Sequence, residues 1–190
     1  MKSIQEDIEQ ACDVLKRGGV ILYPTDTIWG IGCDATNSEA VKKVYEIKRR
    51  ADNKALIVLT DSMTKVDFYV DDVPDIAYDL VDLSEKPLTF IYSGARNLAP
   101  ELMGEDGTVG IRVTREPFSQ TLCHRYRKAI VSTSANVSGE PSPALFAEIS
   151  EEIKQAVDYI VEARQDETDA ARASSIIKLG KGGLVQIIRE

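Results

Sequence analysis

Histidine is nearly absent from this chain, and the single one, His124, falls in a helical run beside Arg125. A Ser-His-Asp hydrolase would have to use that residue from a helix surface, which argues against this class. Cysteine is scarce too. Cys12, Cys33 and Cys123 are odd in number and widely spaced, so they provide neither a disulfide framework nor a zinc site. No apolar run reaches the roughly 18 residues of a membrane span. The opening "MKSIQEDIEQ" lacks the apolar stretch of a secretory leader, so a cytoplasmic location is expected. The Gly-rich phosphate motifs are incomplete. Gly30-Ile31-Gly32 has no third glycine for a dinucleotide fingerprint, and "GKGG" near residue 180 lacks the first Gly and the Ser/Thr of a P-loop. There is no internal repeat, no low-complexity tract and no linker, so residues 1–190 are expected to form one domain.

What is present is an ordinary globular composition, 43% hydrophobic and 28% charged, with a formal net charge of −8. Such a charge argues against a protein that coats nucleic acid with its whole surface. The charge is uneven, however. Residues 61–86 hold seven Asp and one Glu against two Lys, whereas Lys42, Lys43, Lys48, Arg49, Arg50 and Lys54 crowd into thirteen positions. That cluster suits an anionic ligand or, more plainly, a solvated helix end.

Ser3 and Glu6 form a capping box before the helical spacing of Ile4, Ile8, Ala11, Cys12 and Leu15, and Gly18-Gly19 ends that helix. Asn37 or Ser38 can cap a second helix with Val41, Val44 and Ile47 on its inner face. Residues 20–23, 55–59, 88–92, 108–113 and 129–133 read as strands, as does "DYIVEA". Two short helical stretches precede residue 88, a helix carries Phe118, Leu122, Cys123 and Tyr126, and another is expected over 145–156. "SSIIKL-GKGG-LVQIIR" predicts a closing hairpin. The alternation implies a mixed α/β sheet.

Four loops are polar in ways that plain turns do not require: Thr25-Asp26-Thr27 with Gly30 and Gly32, "IKRRADNK" (47–54), "STSANVSGEPSP" (132–143), and Ser174-Ser175. Each could simply cap a turn or a helix end. Converging beyond strand ends, they would make a pocket of hydroxyls, amides and fixed cations. Such a pocket suits a polyphosphate and a small polar molecule, with catalysis by positioning and charge stabilisation.

Taken in order, "YPTDTIWGIGCD", "KRRADNKALIVL", "LTFIY", "TVGIRV", "STSANVSGEPSP" and "SSIIKL…IIR" resemble the YrdC-like family of threonylcarbamoyl-AMP synthases, over about residues 10–189. The resemblance implies a twisted mixed β-sheet with flanking helices around a large central cavity, in the short form without an additional C-terminal domain. It implies a nucleotidyltransferase that condenses L-threonine, bicarbonate and magnesium-bound ATP into threonylcarbamoyl-AMP, releasing pyrophosphate. A separate tRNA threonylcarbamoyl transferase complex would then pass the group to the adenosine beside the anticodon of tRNAs reading codons that begin with A.

By the same resemblance, Thr27, Leu59, Arg112, Ser132 and Ser174 face threonine, with Arg112 on its carboxylate. Lys48, Arg50 and Lys54 face the triphosphate, the first two as catalytic groups. Thr108, Ser134, Asn136, Ser142 and Arg189 surround the nucleotide. Metal ligands are left unassigned, with Asp26 a candidate by location alone. Three positions depart from the family pattern. Ala51 and Ala55 replace prolines, "EKPLTF" lacks a glycine before Pro87, and Leu59 stands where some relatives carry histidine. The rival reading is an RNA-binding module that uses the basic cavity without catalysis. The net charge and the 6% aromatic content weigh against it, because single-strand binders use stacking platforms and basic grooves. A carbamoyl transfer like that of hydrogenase maturation proteins would need accessory regions that this sequence does not contain.

Overall fold

The computed structural model describes residues 2–50, 56–169, 173–180 and 184–189. Helix α1 (Ile4–Lys16) opens as the capping box dictates: Ser3 Oγ accepts from Glu6 N, and Glu6 Oε2 accepts from Ser3 N at 2.8 Å. A cap of this kind is worth roughly 0.5–2 kcal/mol. The helix buries Ile8, Ala11, Cys12 and Leu15. Helix α2 (Ser38–Ile47) is capped by Asn37, whose Oδ1 accepts from Ala40 N at 3.2 Å.

Nine strands form one mixed sheet: β1 (Ile21–Tyr23), β2 (Gly30–Gly32), β3 (Ile57–Thr60), β4 (Leu88–Ser93), β5 (Thr108–Val113), β6 (Ile130–Ser134), β7 (Tyr159–Ile160), β8 (Ser175–Leu179) and β9 (Val185–Arg189). Their order is β7-β1-β2-β6-β3-β5-β4-β8-β9. Three neighbouring pairs are parallel (β1–β7, β3–β5, β4–β8) and the other five antiparallel, so the expected mixed sheet and closing hairpin are both present. Helices α3 (Met63–Tyr69), α4 (Asp75–Leu83), α5 (Pro117–Tyr126) and α6 (Glu151–Ala156) complete the fold. None of the described helices is long and apolar enough to cross a membrane. The core runs through the inner strands, where Ile21, Leu22, Ile31, Val58, Leu59, Ile130 and Val131 are fully buried.

Three local expectations need correction. The helix expected over 145–156 is split into a 3-10 turn at Phe146–Glu148 and α6, because Ser150 is extended and caps α6 through Ile153 N. The second correction concerns Gly30-Ile31-Gly32, which is a strand, hydrogen-bonded between β1 and β6, and not a loop. Its glycines admit neighbours: a Cβ at Gly32 would stand 2.5 Å from Val131 O and 2.6 Å from Tyr23 Cε1. The "DYIVEA" strand shortens to the two residues of β7.

Candidate active site

The segment between β1 and β2 turns back as a tight polar bend. Thr25 Oγ1 donates to Ile28 O (2.8 Å) and accepts from Thr27 N (3.0 Å). Arg164, whose backbone is left-handed at φ 64°, pins this bend from outside by donating to Thr25 O (3.0 Å) while pairing with Glu116 (3.1 Å) and Glu167 (2.6 Å).

Arg112 projects from β5 into the bend and is only 3% exposed. Nε donates to Asp26 Oδ1 (3.0 Å), Nη2 to Thr27 Oγ1 (3.2 Å), and Nη1 to both Thr89 and Ser174 hydroxyls (3.3 Å each). Those two hydroxyls lie 2.8 Å apart, so one donates to the other and the second keeps a proton to give. Burial raises the Asp26 carboxyl, opposed by the guanidinium beside it. Arg189 on β9 closes this end by donating twice to Ser174 O, at 3.0 and 2.7 Å.

These groups border a cavity of about 260 Å³. Thr27, Arg112 and Ser174 stand at one end, and Ser132, Ser134 and Ser142 come from β6 and the segment after it. Arg50 and Arg189 supply further positive charge, and Trp29, Ile57 and Ile176 supply apolar wall. Three arginines and no acid line it among the described residues, inside a protein of net charge −8. That is the electrostatic signature of an anion site. Beyond the Thr25–Thr27 bend lies a cleft of about 360 Å³ whose cations (Lys86, Arg115, Arg164) are balanced by Asp26, Glu85 and Glu116.

Arg50 reaches the cavity because of how α2 ends. Arg49 takes a left-handed φ of 48°, and the next N–H, on Arg50, bonds back to Tyr45 O at 3.0 Å. This is a Schellman ending built on an arginine instead of the usual glycine.

Lys48 does not accompany Arg50. It is 1% exposed, does not line the cavity, and donates to Ser134 O (2.5 Å) and Asn136 O (2.7 Å). Its own carbonyl accepts from Ser138 N at 2.8 Å, so the residue staples α2 to the segment after β6. Burial, and then the charge of Arg50, pull its ammonium down to about 8.

Other expected positions also differ. Leu59 pairs with Arg112 in register but is fully buried in the core and does not line the cavity. Thr108 occupies the same face of β5, four residues before Arg112, and donates to Asp106 Oδ1 (2.6 Å) away from the cavity. Asn136 is buried behind the lining; its amide donates to Val137 O and Glu140 O, and its Oδ1 is buried without a partner among the described residues. Lys54 lies outside the described residues. Trp29 and Arg164 escaped the sequence reading, and Thr25 was marked there only as part of a polar loop. Trp29, set close to two glycines, gave the one further signal.

No cluster of three or more His, Cys, Asp or Glu among the described residues could hold a metal ion, and the one carboxylate named by location, Asp26, is committed to Arg112.

The architecture matches known structures end to end. E. coli YciO superposes with a TM-score of 0.84 at 23% identity, covering all of this chain and 91% of that one. Sua5 of P. abyssi complexed with L-threonine superposes at 0.86 with 23% identity, and this chain spans 55% of its length. In sequence, the threonylcarbamoyl-AMP synthase of Pseudoalteromonas translucida is 36% identical over 163 residues, 84% of this chain and 87% of that protein. The model of the Sua5/YciO/YrdC family, described as "Telomere recombination", matches residues 13–190, and with that extent of agreement in sequence and fold the chain belongs to this family.

Proposed function

We propose that this protein is a threonylcarbamoyl-AMP synthase of the nucleotidyltransferase class, acting on L-threonine, bicarbonate and ATP as one domain over residues 1–190. The observation that carries this reading is one cavity whose two ends differ in chemistry. A buried arginine within a ring of hydroxyls, closed by Arg189, stands at one end, and Arg50 with serine hydroxyls stands toward the other. Threonine lies against Thr27 and Ser174, with Thr89 behind Ser174, and Arg112 attracts its carboxylate. The amine attacks bicarbonate carbon and water leaves, giving an N-carboxylate. That carboxylate oxygen attacks the α-phosphorus of ATP, and the bond to pyrophosphate breaks. Arg50, and Lys54 by the family resemblance, offset the charge that accumulates on the departing phosphates. ATP arrives with its magnesium as the substrate complex, and no step is assigned to a protein-held metal. The product is an activated carbonyl, suited to transfer onto a tRNA adenosine by a separate transferase complex.

The test is product analysis. Purified protein with magnesium-ATP releases pyrophosphate only when threonine and bicarbonate are both present, and mass spectrometry finds threonylcarbamoyl-AMP. AMP formed with threonine but without bicarbonate overturns the proposal in favour of amino-acid adenylation. RNA binding without turnover overturns it in favour of a binding module.

A further inference from the structure

We infer that Thr25, which does not touch the cavity's contents, sets the amino-acid selectivity of this site by fixing the direction of the Thr27 hydroxyl. The inference rests on the reading of Thr27 as a wall of the amino-acid end. It follows from counting protons. A threonine hydroxyl has one proton to give and two lone pairs. Thr25 Oγ1 lies 2.8 Å from Ile28 O, and a carbonyl can only accept, so the Thr25 proton is spent there. Thr27 N–H takes one Thr25 lone pair at 3.0 Å. The two hydroxyl oxygens are 3.0 Å apart, and with the Thr25 proton committed, Thr27 must be the donor between them. Thr25 is then saturated, as suits a side chain 1% exposed.

Thr27 has now spent its own proton. Arg112 Nη2 can only donate, and it takes one Thr27 lone pair at 3.2 Å. What remains toward the cavity is a single lone pair on a hydroxyl that cannot rotate to donate. A substrate bearing an O–H satisfies it; a substrate of the same shape with no O–H leaves a nearly buried acceptor unpaired. The backbone under Thr25 is itself held by Arg164, which keeps the chain of donors in register. Thr25 is thus a positioning residue, and the discrimination it supports is threonine over 2-aminobutyrate, which has threonine's carbon chain without its hydroxyl.

The experiment is calorimetric binding of threonine and of 2-aminobutyrate to the intact protein, with and without Thr25→Val and Thr25→Ser. The parent is expected to prefer threonine. Thr25→Val is expected to lose about tenfold of that preference, the worth of one neutral hydrogen bond, chiefly through weaker threonine binding. Thr25→Ser, which keeps the hydroxyl, is expected to retain it. A Thr25→Val protein with the parent's ratio overturns the inference, as does one weakened equally toward both amino acids, or a Thr25→Ser protein that loses the preference as fully as Thr25→Val. If Thr25→Val melts too early for titration, Thr25→Cys gives the same readout, because a thiol of similar bulk is a weak donor and acceptor. A parent that binds neither amino acid overturns the proposed function as well, and so is distinct from a parent that discriminates while Thr25→Val does so equally.

Discussion

Arg112 Nε and Asp26 Oδ1 meet at 3.0 Å, with side chains 3% and 11% exposed. Two charges taken out of water are costly even when paired, and burial accordingly lifts the Asp26 carboxyl despite the arginine beside it. Removing one partner is worse than keeping both. Asp26→Ala is expected to cost about 3–5 kcal/mol in urea denaturation, and Asp26→Asn, which still accepts from Nε, distinctly less. The sign of the pH effect follows from the raised carboxyl. Just above the ordinary aspartate range the folded protein holds more protons than the unfolded chain, so the stability due to Asp26 falls as pH rises there. Denaturation of Asp26→Asn across that range is expected to lack this downward slope.

Lys48 is a buried charge whose cost alkali relieves. Its ammonium titrates near 8 in the folded protein and near the ordinary lysine value of 10.5 when unfolded. Between those values the folded protein holds fewer protons, so its stability relative to a Lys48→Met variant is expected to rise with pH, by on the order of 3 kcal/mol over the full window. Over the same window the neutral amine keeps two N–H donors, enough for Ser134 O and Asn136 O. Protection factors of residues 134–142, corrected for the intrinsic base-catalysed rate, are therefore expected to hold above pH 8 in the parent protein. Protection that falls above pH 8 relative to the rest of the fold would contradict this account.

Gly32 is expected to tolerate no side chain. A Cβ there meets backbone at Val131 O and the Tyr23 ring, neither of which can swing aside, since Tyr23 is itself bonded to Val131 O at 3.0 Å. Gly32→Ala is expected to cost at least the 1–3 kcal/mol typical of overpacking, measured by thermal melting. Gly30→Ala, whose nearest neighbour is Ser132 Oγ at 3.3 Å, is expected to melt nearer the parent while narrowing the cavity.

Leu59 offers the reverse test. As a fully buried core residue its truncation to alanine is expected to cost roughly 2–5 kcal/mol of stability and to leave the threonine-to-serine ratio of kcat/KM unchanged. A shifted ratio would return Leu59 to the amino-acid pocket that its place in the sequence suggests.

How far the sequence alone could be read depended on how local each cause was. The Ser3–Glu6 box and the Asn37 cap act within one helical turn, and both were visible as residue patterns. β2 was not, because two of its three residues are glycines and only pairing with β1 and β6 makes them a strand. At the site, the convergence of Thr27, Arg112 and Ser174 was anticipated through their ordered motifs, whereas Arg189, expected on the nucleotide, holds Ser174 O. Lys48 and Arg50 sit two residues apart in one basic cluster, yet a left-handed Arg49 sends one to the cavity and leaves the other buried against carbonyls. Nothing in the charge pattern distinguishes them. The roles of Thr25 and Arg164 depend on which atom donates across residues 139 positions apart, which appears only once the chain is folded.

The cavity takes its walls from Thr27 at one extreme of the chain to Arg189 at the other, and β1 pairs with β7 across most of its length. At ribosomal rates of about 5–20 residues per second, roughly 8–30 s separate the synthesis of the first wall from that of the last. During that interval the emerging chain holds Arg112 and Asp26 without Ser174 or Arg189, and hence no closed amino-acid end. Pairings this distant in sequence also place the fold among the slower ones. Capacity to bind substrate therefore arises in one late step, and truncated or stalled chains are expected to be silent rather than weakly active.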